Sequence, residues 1–199
     1  MWLLRFRIGL SLNLNKRNGF SLVELMVTIG IFITVTSLVF ANYPKFRSQL
    51  TLKKTSQEIA LAVREAQVYG LSVREYDGVF PGYGIHFNIN KPGSVLIFAD
   101  LNDSKGYDPN DGIVKEYAIQ TKDAISDLCG ETKKSPPGSC NLSQLDAVYL
   151  RPNPVVTLRG KDRDGVTLPD FSDTEIKISS LGGEEKTIIL WLSGQITIE

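Results

Sequence analysis

The feature that most constrains this chain is an apolar stretch near its N-terminus. Residues 20–43 read FSLVELMVTIGIFITVTSLVFANY and contain one charged residue, Glu24. At a rise of 1.5 Å per residue, about 20 such residues span the hydrocarbon core of a bilayer. In lipid the backbone must satisfy its own hydrogen bonds, so a helix is nearly obligatory. The stretch therefore predicts a membrane-spanning helix, and the uncharged run 25–41 argues against a buried helix of a soluble protein.

Charge is distributed unevenly along the chain, although 22 basic and 22 acidic residues balance overall. Residues 1–19 contain four basic residues and no acidic one, which leaves 18 basic against 22 acidic residues in the remainder. Because basic flanks stay in the cytoplasm, we expect a cytoplasmic N-terminus and a body on the outer side of the membrane. The balanced total argues against a chain that binds nucleic acid over its whole surface.

Two conventional interpretations of the apolar stretch stay open at this point. Residues Val39-Phe40-Ala41 form a tolerable cleavage context for a secretory signal peptide. Such peptides usually have apolar regions of about 7–15 residues, however, and they do not carry a glutamate near the start of that region. The second interpretation is an uncleaved single-pass anchor.

The segment Gly19-Phe20-Ser21-Leu22-Val23-Glu24-Leu25 resembles the type III signal of the type IV pilin and pseudopilin superfamily. In that family a basic leader ends in Gly, the mature chain begins with Phe, and its fifth residue is Glu. The resemblance implies that prepilin peptidase cleaves between Gly19 and Phe20, which removes residues 1–19, and that Phe20 is then N-methylated. It also implies that Glu24 pairs with the Phe20 amine of a neighbouring subunit in a filament. A carboxylate within a membrane helix is functional by default, because burying it in lipid costs several kcal/mol.

Residues 44–75 predict an amphipathic helix of the body. Pro44 is expected to kink or break the helix locally, and a stripe then follows at spacings of three and four. The stripe consists of Leu52, Thr55, Ile59, Ala62, Ala66, Tyr69 and Val73. Leu61 and Val68 fall outside it. We interpret them as widening the face that packs on the body, with contact to filament neighbours as the alternative.

Residues 76–199 predict a β-rich periplasmic domain. The run 83–89 alternates apolar and polar side chains, which predicts one buried and one wet face and places His86, the only histidine, at the surface. Further strands are predicted at 95–99, 113–119, 147–151, 155–159, 174–179 and 186–192. Ser193-Gly194 suits a tight turn into a terminal hairpin ending at 199. One helix followed by about eight strands is an α+β arrangement.

The body also resembles one branch of the superfamily, the GspH/FimT branch of minor pseudopilins. The resemblance lies in residues 62–66 (AVREA), 82–85 (GYGI) and 98–103 (FADLND). It implies a long N-terminal helix packed on an antiparallel β-sandwich. It also implies a minor pseudopilin of a type II secretion system, in the bacterial inner membrane with its body in the periplasm. The partners would be prepilin peptidase, other pseudopilins or pilins, and an inner-membrane assembly platform.

Two other functions stay open. One is a FimT-like minor pilin of a type IV pilus, serving pilus biogenesis or DNA uptake; the other is a membrane-tethered periplasmic binding domain. The chain has neither a Gly-x-Ser-x-Gly nucleophile motif nor a phosphate-binding loop. We therefore expect that the protein is not an enzyme and binds no cofactor.

Three clusters in the body carry possible chemistry. Cys129 and Cys140, the only cysteines, are expected to form a disulfide in the oxidising periplasm. The segment 100–111 is rich in oxygen ligands, but an EF-hand would need Gly at Lys105 and a closing Glu, so we expect a solvated turn, with calcium as the alternative. Arg159, Lys161 and Arg163 are the candidate DNA contacts, although interleaved aspartates argue against an uncompensated positive field.

Overall fold

The computed structural model describes residues 19–134, 138, 140–152 and 155–199, and of Asn42 the backbone alone. Apart from Gly19, the predicted leader lies outside the described residues. The chain divides into two compact units, Met1–Tyr43 and Pro44–Glu199.

One helix, α1, runs from Leu22 to Leu71 and contributes to both units. Pro44 lies inside it, so the break allowed for at this position does not occur. Proline fixes φ near the helical value, so the helix continues through this position although one N–H donor is lost. The helix ends at Leu71, four residues before the predicted end at Glu75. Its last hydrogen bond runs from the Ser72 N–H to the Val68 carbonyl.

Among the described residues, nine antiparallel strands follow in two sheets. The five-stranded sheet has the order β3-β2-β1-β5-β6, and the four-stranded sheet has the order β4-β7-β8-β9. The strands are β1 (Gly82–Asn88), β2 (Ser94–Asp100), β3 (Gly112–Ala118), β4 (Ala124–Gly130), β5 (Gln144–Tyr149), β6 (Val156–Lys161), β7 (Asp173–Ser179), β8 (Glu185–Trp191) and β9 (Ile196–Ile198). The predicted turn before β9 is confirmed, with Gly194 at a φ of 82°.

The core of the second unit is shared by the helix and both sheets. Buried side chains from residues 52–66 of α1 join side chains from the inner faces of the strands. Gly70 allows the close approach of α1 to β5, because a Cβ at this position would lie 2.5 Å from the Tyr149 carbonyl oxygen. The prediction of an α+β fold with the helix packed on antiparallel sheets is thus confirmed.

The helical stripe is correct as far as Tyr69, and its last member, Val73, lies beyond the helix and is 77% exposed. The interpretation of Leu61 and Val68 is wrong. They are 64% and 62% exposed and therefore do not widen the packed face.

Strand β1 differs from its prediction because it is buried on both faces. Six of its seven residues are buried, and His86 is only 4% exposed, so the surface position predicted for it is wrong. The physical reason is the loop 101–111, which covers the polar face of the sheet. Its Tyr107 ring lies 4.6 Å from the His86 ring and 5.3 Å from the Phe98 ring, measured between centroids.

Candidate functional site: the N-terminal segment and the clusters of the body

The predicted cleavage site lies immediately before α1. Gly19, Phe20 and Ser21 have no regular secondary structure, and the first helical hydrogen bond runs from the Leu25 N–H to the Ser21 carbonyl. Phe20 is 75% exposed. The peptide bond between Gly19 and Phe20 therefore lies outside the helix.

Glu24 lies in the first turn of α1. Its carboxylate is exposed, and it is the only charged side chain from Phe20 to Tyr43. A negative charge in the first turn is favourable, because the unpaired N–H groups of the helix N-terminus carry a partial positive charge. Glu24 is therefore the one side chain of residues 20–43 that can form an ionic contact.

The rest of this segment is suited to an apolar environment. Its most apolar window of 18 residues has a mean hydropathy of 2.2, and none of that window is buried within the chain. Each of four hydroxyls donates to a carbonyl of the preceding turn, at 2.6–2.9 Å. They belong to Thr28, Thr34, Thr36 and Ser37. By length and composition, this part of α1 can cross a membrane.

A family model described as the prokaryotic N-terminal methylation motif matches residues 14–40. The chain carries a type IV pilin-like signal. The motif indicates a protein that prepilin peptidase processes and that assembles with other pilins, and together with the long apolar helix it fits a membrane-anchored protein. The comparisons with curated proteins and with solved structures gave no match.

In the body, Cys129 and Cys140 are joined by a disulfide. The two residues also form an isolated antiparallel bridge. Cys129 is fully buried in β4, and Asp127 lies close to both sulfurs. Because the sulfurs are bonded to each other, they are not available as thiolate ligands for a metal. The disulfide instead attaches the segment around Cys140 to the outer side of β4.

The oxygen-rich segment 100–111 folds as a loop that satisfies its own polar groups. The Asp100 carboxylate accepts the N–H groups of Ser104 and Lys105, at 3.0 and 2.9 Å. The Asp111 carboxylate accepts those of Leu101 and Asp108, at 3.1 and 2.9 Å. These oxygens are occupied by the backbone, which favours the predicted turn over a preformed calcium site.

Burial raises the pKa of the Asp111 carboxyl above its ordinary value, despite the two N–H groups that it accepts. At Asp108 the opposite holds: the hydrogen bond from the Asn102 side chain and that from the Asn110 N–H lower the pKa. The Asp108 carboxyl is thus ionised more readily than the Asp111 carboxyl.

The predicted basic run is only partly brought together. The Arg159 guanidinium donates from Nε to the Asp170 carboxylate at 2.6 Å and from Nη1 to the Ser104 carbonyl at 2.7 Å. Arg159 and Lys161 line one small cleft, where Asp108 and Asp146 also lie. Arg163 is exposed and does not line it. The positive charge of this cleft is compensated, which is unfavourable for phosphate binding.

The contact between α1 and the edge of the five-stranded sheet could not be predicted from the sequence. The Glu65 carboxylate accepts hydrogen bonds from the hydroxyls of Tyr69 and Tyr117, and the Lys115 ammonium lies 3.3 Å away. Burial raises the pKa of Glu65, but the hydrogen bonds from these tyrosines and from Lys115 outweigh it, and the pKa lies below its ordinary value of 4.5. The contact joins residues 50 positions apart, so only the folded topology reveals it.

Proposed function

We propose that this protein is a minor pseudopilin of a type II secretion system, of the GspH type. Prepilin peptidase would cleave it after Gly19 and N-methylate Phe20, and the subunit would join a short periplasmic filament. The observation that carries the proposal is the signal Gly19-Phe20 with Glu24, at the start of an apolar helix segment whose surface the chain itself leaves uncovered. The protein would act as a peptidase substrate and a structural subunit, not as an enzyme.

The chemistry of assembly would rest on Phe20 and Glu24. Cleavage creates a new α-amino group on Phe20, outside the helix and free to reach a neighbouring subunit. When helices leave lipid and pack together, an unpaired buried carboxylate is costly, whereas one that meets an ammonium is stabilised. Glu24 would therefore select the register in which its carboxylate meets the Phe20 amine of the next subunit.

The choice of a secretion filament over a DNA-uptake pilus is supported by the charge of the body. Of the candidate DNA contacts, Arg159 has an acidic partner and Lys161 lies in a cleft with two carboxylates. The experiments below also test two alternatives. One is a FimT-like minor pilin of a type IV pilus, and the other is a membrane-tethered binding domain.

Mass spectrometry of the mature N-terminus tests the first step. Methylated Phe20 is the expected result, whereas a chain starting at Asn42 or an intact leader would contradict the proposal. Deletion of the gene then distinguishes a role in a secretion filament from a role in a type IV pilus. We expect lost secretion of exoproteins with normal pili, and lost pili with normal secretion would assign the protein to a type IV pilus.

A further inference from the structure

The two sheets present four outer edges, and two of them are covered by the chain itself. The edge of β6 is covered by the segment that follows it: the Leu168 N–H donates to the Gly160 carbonyl and the Phe171 N–H to the Leu158 carbonyl, at 2.9 and 2.8 Å. At β4, the Leu142 N–H donates to the Leu128 carbonyl, next to the disulfide. The edge formed by β9 is only three residues long. Covering or shortening an edge strand is how proteins prevent unwanted strand pairing.

The fourth edge, formed by β3, is neither short nor covered by described residues. It is seven residues long, and within the described part of the chain its outer side has no backbone partner. The Ile119 N–H donates to the Gly93 carbonyl, and Tyr117 is opposite Val95 in the same register. Antiparallel pairs alternate between bonded and non-bonded, so the N–H and C=O groups of Glu116 and Ala118 point away from β2. An added strand would find these groups available.

An apolar groove of about 560 Å³ lies beside this free edge, between β3 and residues 55–65 of α1. Buried apolar side chains line it, among them Ile59, Ala62 and Val95, and the exposed Leu61 stands at its border. Ten residues of helix correspond to about 15 Å, which is the length of four to five residues of an extended strand. The groove thus matches a short extended peptide in both length and character.

The charge of the groove indicates what such a peptide would carry. Three glutamates and no lysine or arginine are among its lining residues. Glu65 is engaged by Tyr117 and Lys115, and Glu58 lies 3.5 Å from the Lys54 ammonium on the exposed surface of the helix. Glu116 makes no ion pair with any described residue. A basic side chain on the added strand would therefore be favoured next to Glu116.

We propose that this groove binds an extended segment of another protein, which joins the five-stranded sheet as a sixth strand beside β3. Backbone hydrogen bonds to Glu116 and Ala118 would supply affinity, as in other cases of strand addition. Apolar side chains at alternate positions would face the groove, and a lysine or arginine would meet Glu116. This interaction surface goes beyond the proposed function and uses no part of the N-terminal signal.

Peptide binding to the full-length chain in lipid nanodiscs tests the proposal. The probes are a fluorescent pentapeptide with valine and lysine in alternation, the same peptide with glutamate in place of lysine, and the lysine peptide with methylated backbone nitrogens. Fluorescence anisotropy should show saturable binding of the lysine peptide below roughly 1 mM, and much weaker binding of the other two. Equal binding of all three peptides, or none, would overturn the proposal.

Two variants connect that binding to the edge. Ala118→Pro removes one outward N–H at a position where an edge strand tolerates proline, and we expect affinity to fall on the order of fivefold, the effect of one hydrogen bond. Ala118→Val keeps the N–H and should bind like the unmodified chain. Glu116→Lys should reverse the preference between the lysine and glutamate peptides. The same affinity for the Pro and Val variants, with equal melting curves, would exclude strand addition.

Light scattering of the nanodiscs identifies the remaining occupant, a second copy of this chain. If the chain dimerises and Ala118→Pro abolishes the dimer, the edge pairs with itself, and the proposal of a different protein is wrong. Because none of these measurements depends on leader cleavage or filament assembly, their failure is distinguishable from failure of the proposed function.

Discussion

His86 and Asp146 form a buried pair in which the imidazole Nδ1 lies 2.6 Å from the carboxylate Oδ1. The two residues are directly opposite each other on β1 and β5, and each is less than 5% exposed. The pair thus joins the central strand β1 to its neighbour β5 on the face that the loop 101–111 covers, where Tyr107 packs against the histidine ring.

We expect Asp146→Ala to lower the free energy of unfolding by about 1–3 kcal/mol, because it leaves a buried imidazole without its partner. Urea unfolding, followed by the fluorescence of Trp191, measures the change. Asp164→Ala is the control, since it removes an exposed carboxylate and should change stability by less than about 0.5 kcal/mol. If the two variants are equally stable, the pair contributes nothing to the fold.

Glu65 should make the stability of the body depend on pH in the acidic range. Its folded-state pKa is lowered, so its contribution is fully present above its ordinary value of 4.5 and is lost as the pH falls through the folded-state value. Unfolding measured from pH 7 downward should therefore show a smaller acid-induced loss in Glu65→Gln than in the unmodified chain. Glu185→Gln, at an exposed position of β8, is the control. Parallel pH profiles for Glu65→Gln and the unmodified chain would contradict the assignment.

Replacing both Cys129 and Cys140 by alanine should destabilise the body by about 2–4 kcal/mol, since the disulfide closes a loop with a sequence separation of 11. Thermal unfolding with and without a reductant measures this. The reductant should lower the midpoint of the unmodified chain and leave the double variant unchanged; any further effect on the double variant would have another origin.

The loop 101–111 should be held by Asp100 and not by calcium. Asp100→Ala removes the acceptor of two backbone N–H groups, so hydrogen exchange at Ser104 and Lys105 should become faster. Calcium at millimolar concentration should leave exchange in the unmodified chain unchanged. Slower exchange on addition of calcium would show that the carboxylates prefer the ion to the backbone.

Glu24→Ala should leave cleavage and methylation at Phe20 largely intact and impair incorporation into filaments. The loss follows from the unpaired amine that the variant would bury at each contact. Thr28→Val is the control, because it changes a hydroxyl that already bonds within the helix. Normal incorporation of Glu24→Ala, measured in sheared filament fractions, would exclude the pairing.

Periodicity predicted much of the fold, because it reports burial along a single element. The helical stripe from Leu52 to Tyr69 and most strands follow from it. Strand β4 was not predicted, since a register shift between Ile125 and Asp127 interrupts the alternation that identifies a strand. The burial of His86 also escaped prediction, because the covering loop lies about 20 residues away along the chain.

In the candidate site, too, features formed by adjacent residues could be predicted, and features formed by distant residues could not. The signal Gly19, Phe20 and Glu24 is local and can be read directly from adjacent residues. The contact of Glu65 with Tyr117 and the free edge of β3 depend on which strands are neighbours, and this information is absent from any single segment.

The self-bonded hydroxyls of Thr28, Thr34, Thr36 and Ser37 have a consequence for transfer between environments. Since these groups and the helical backbone keep their partners in any surroundings, moving the segment from a bilayer into a packed array of helices requires no exchange of hydrogen bonds along most of its length. The solvation of one carboxylate changes, and the rest of the surface trades one set of dispersion contacts for another. In the proposed filament, hydrogen bonding along the segment would therefore contribute little to the free energy of transfer, and the pairing proposed for Glu24 would be the main polar contribution to it.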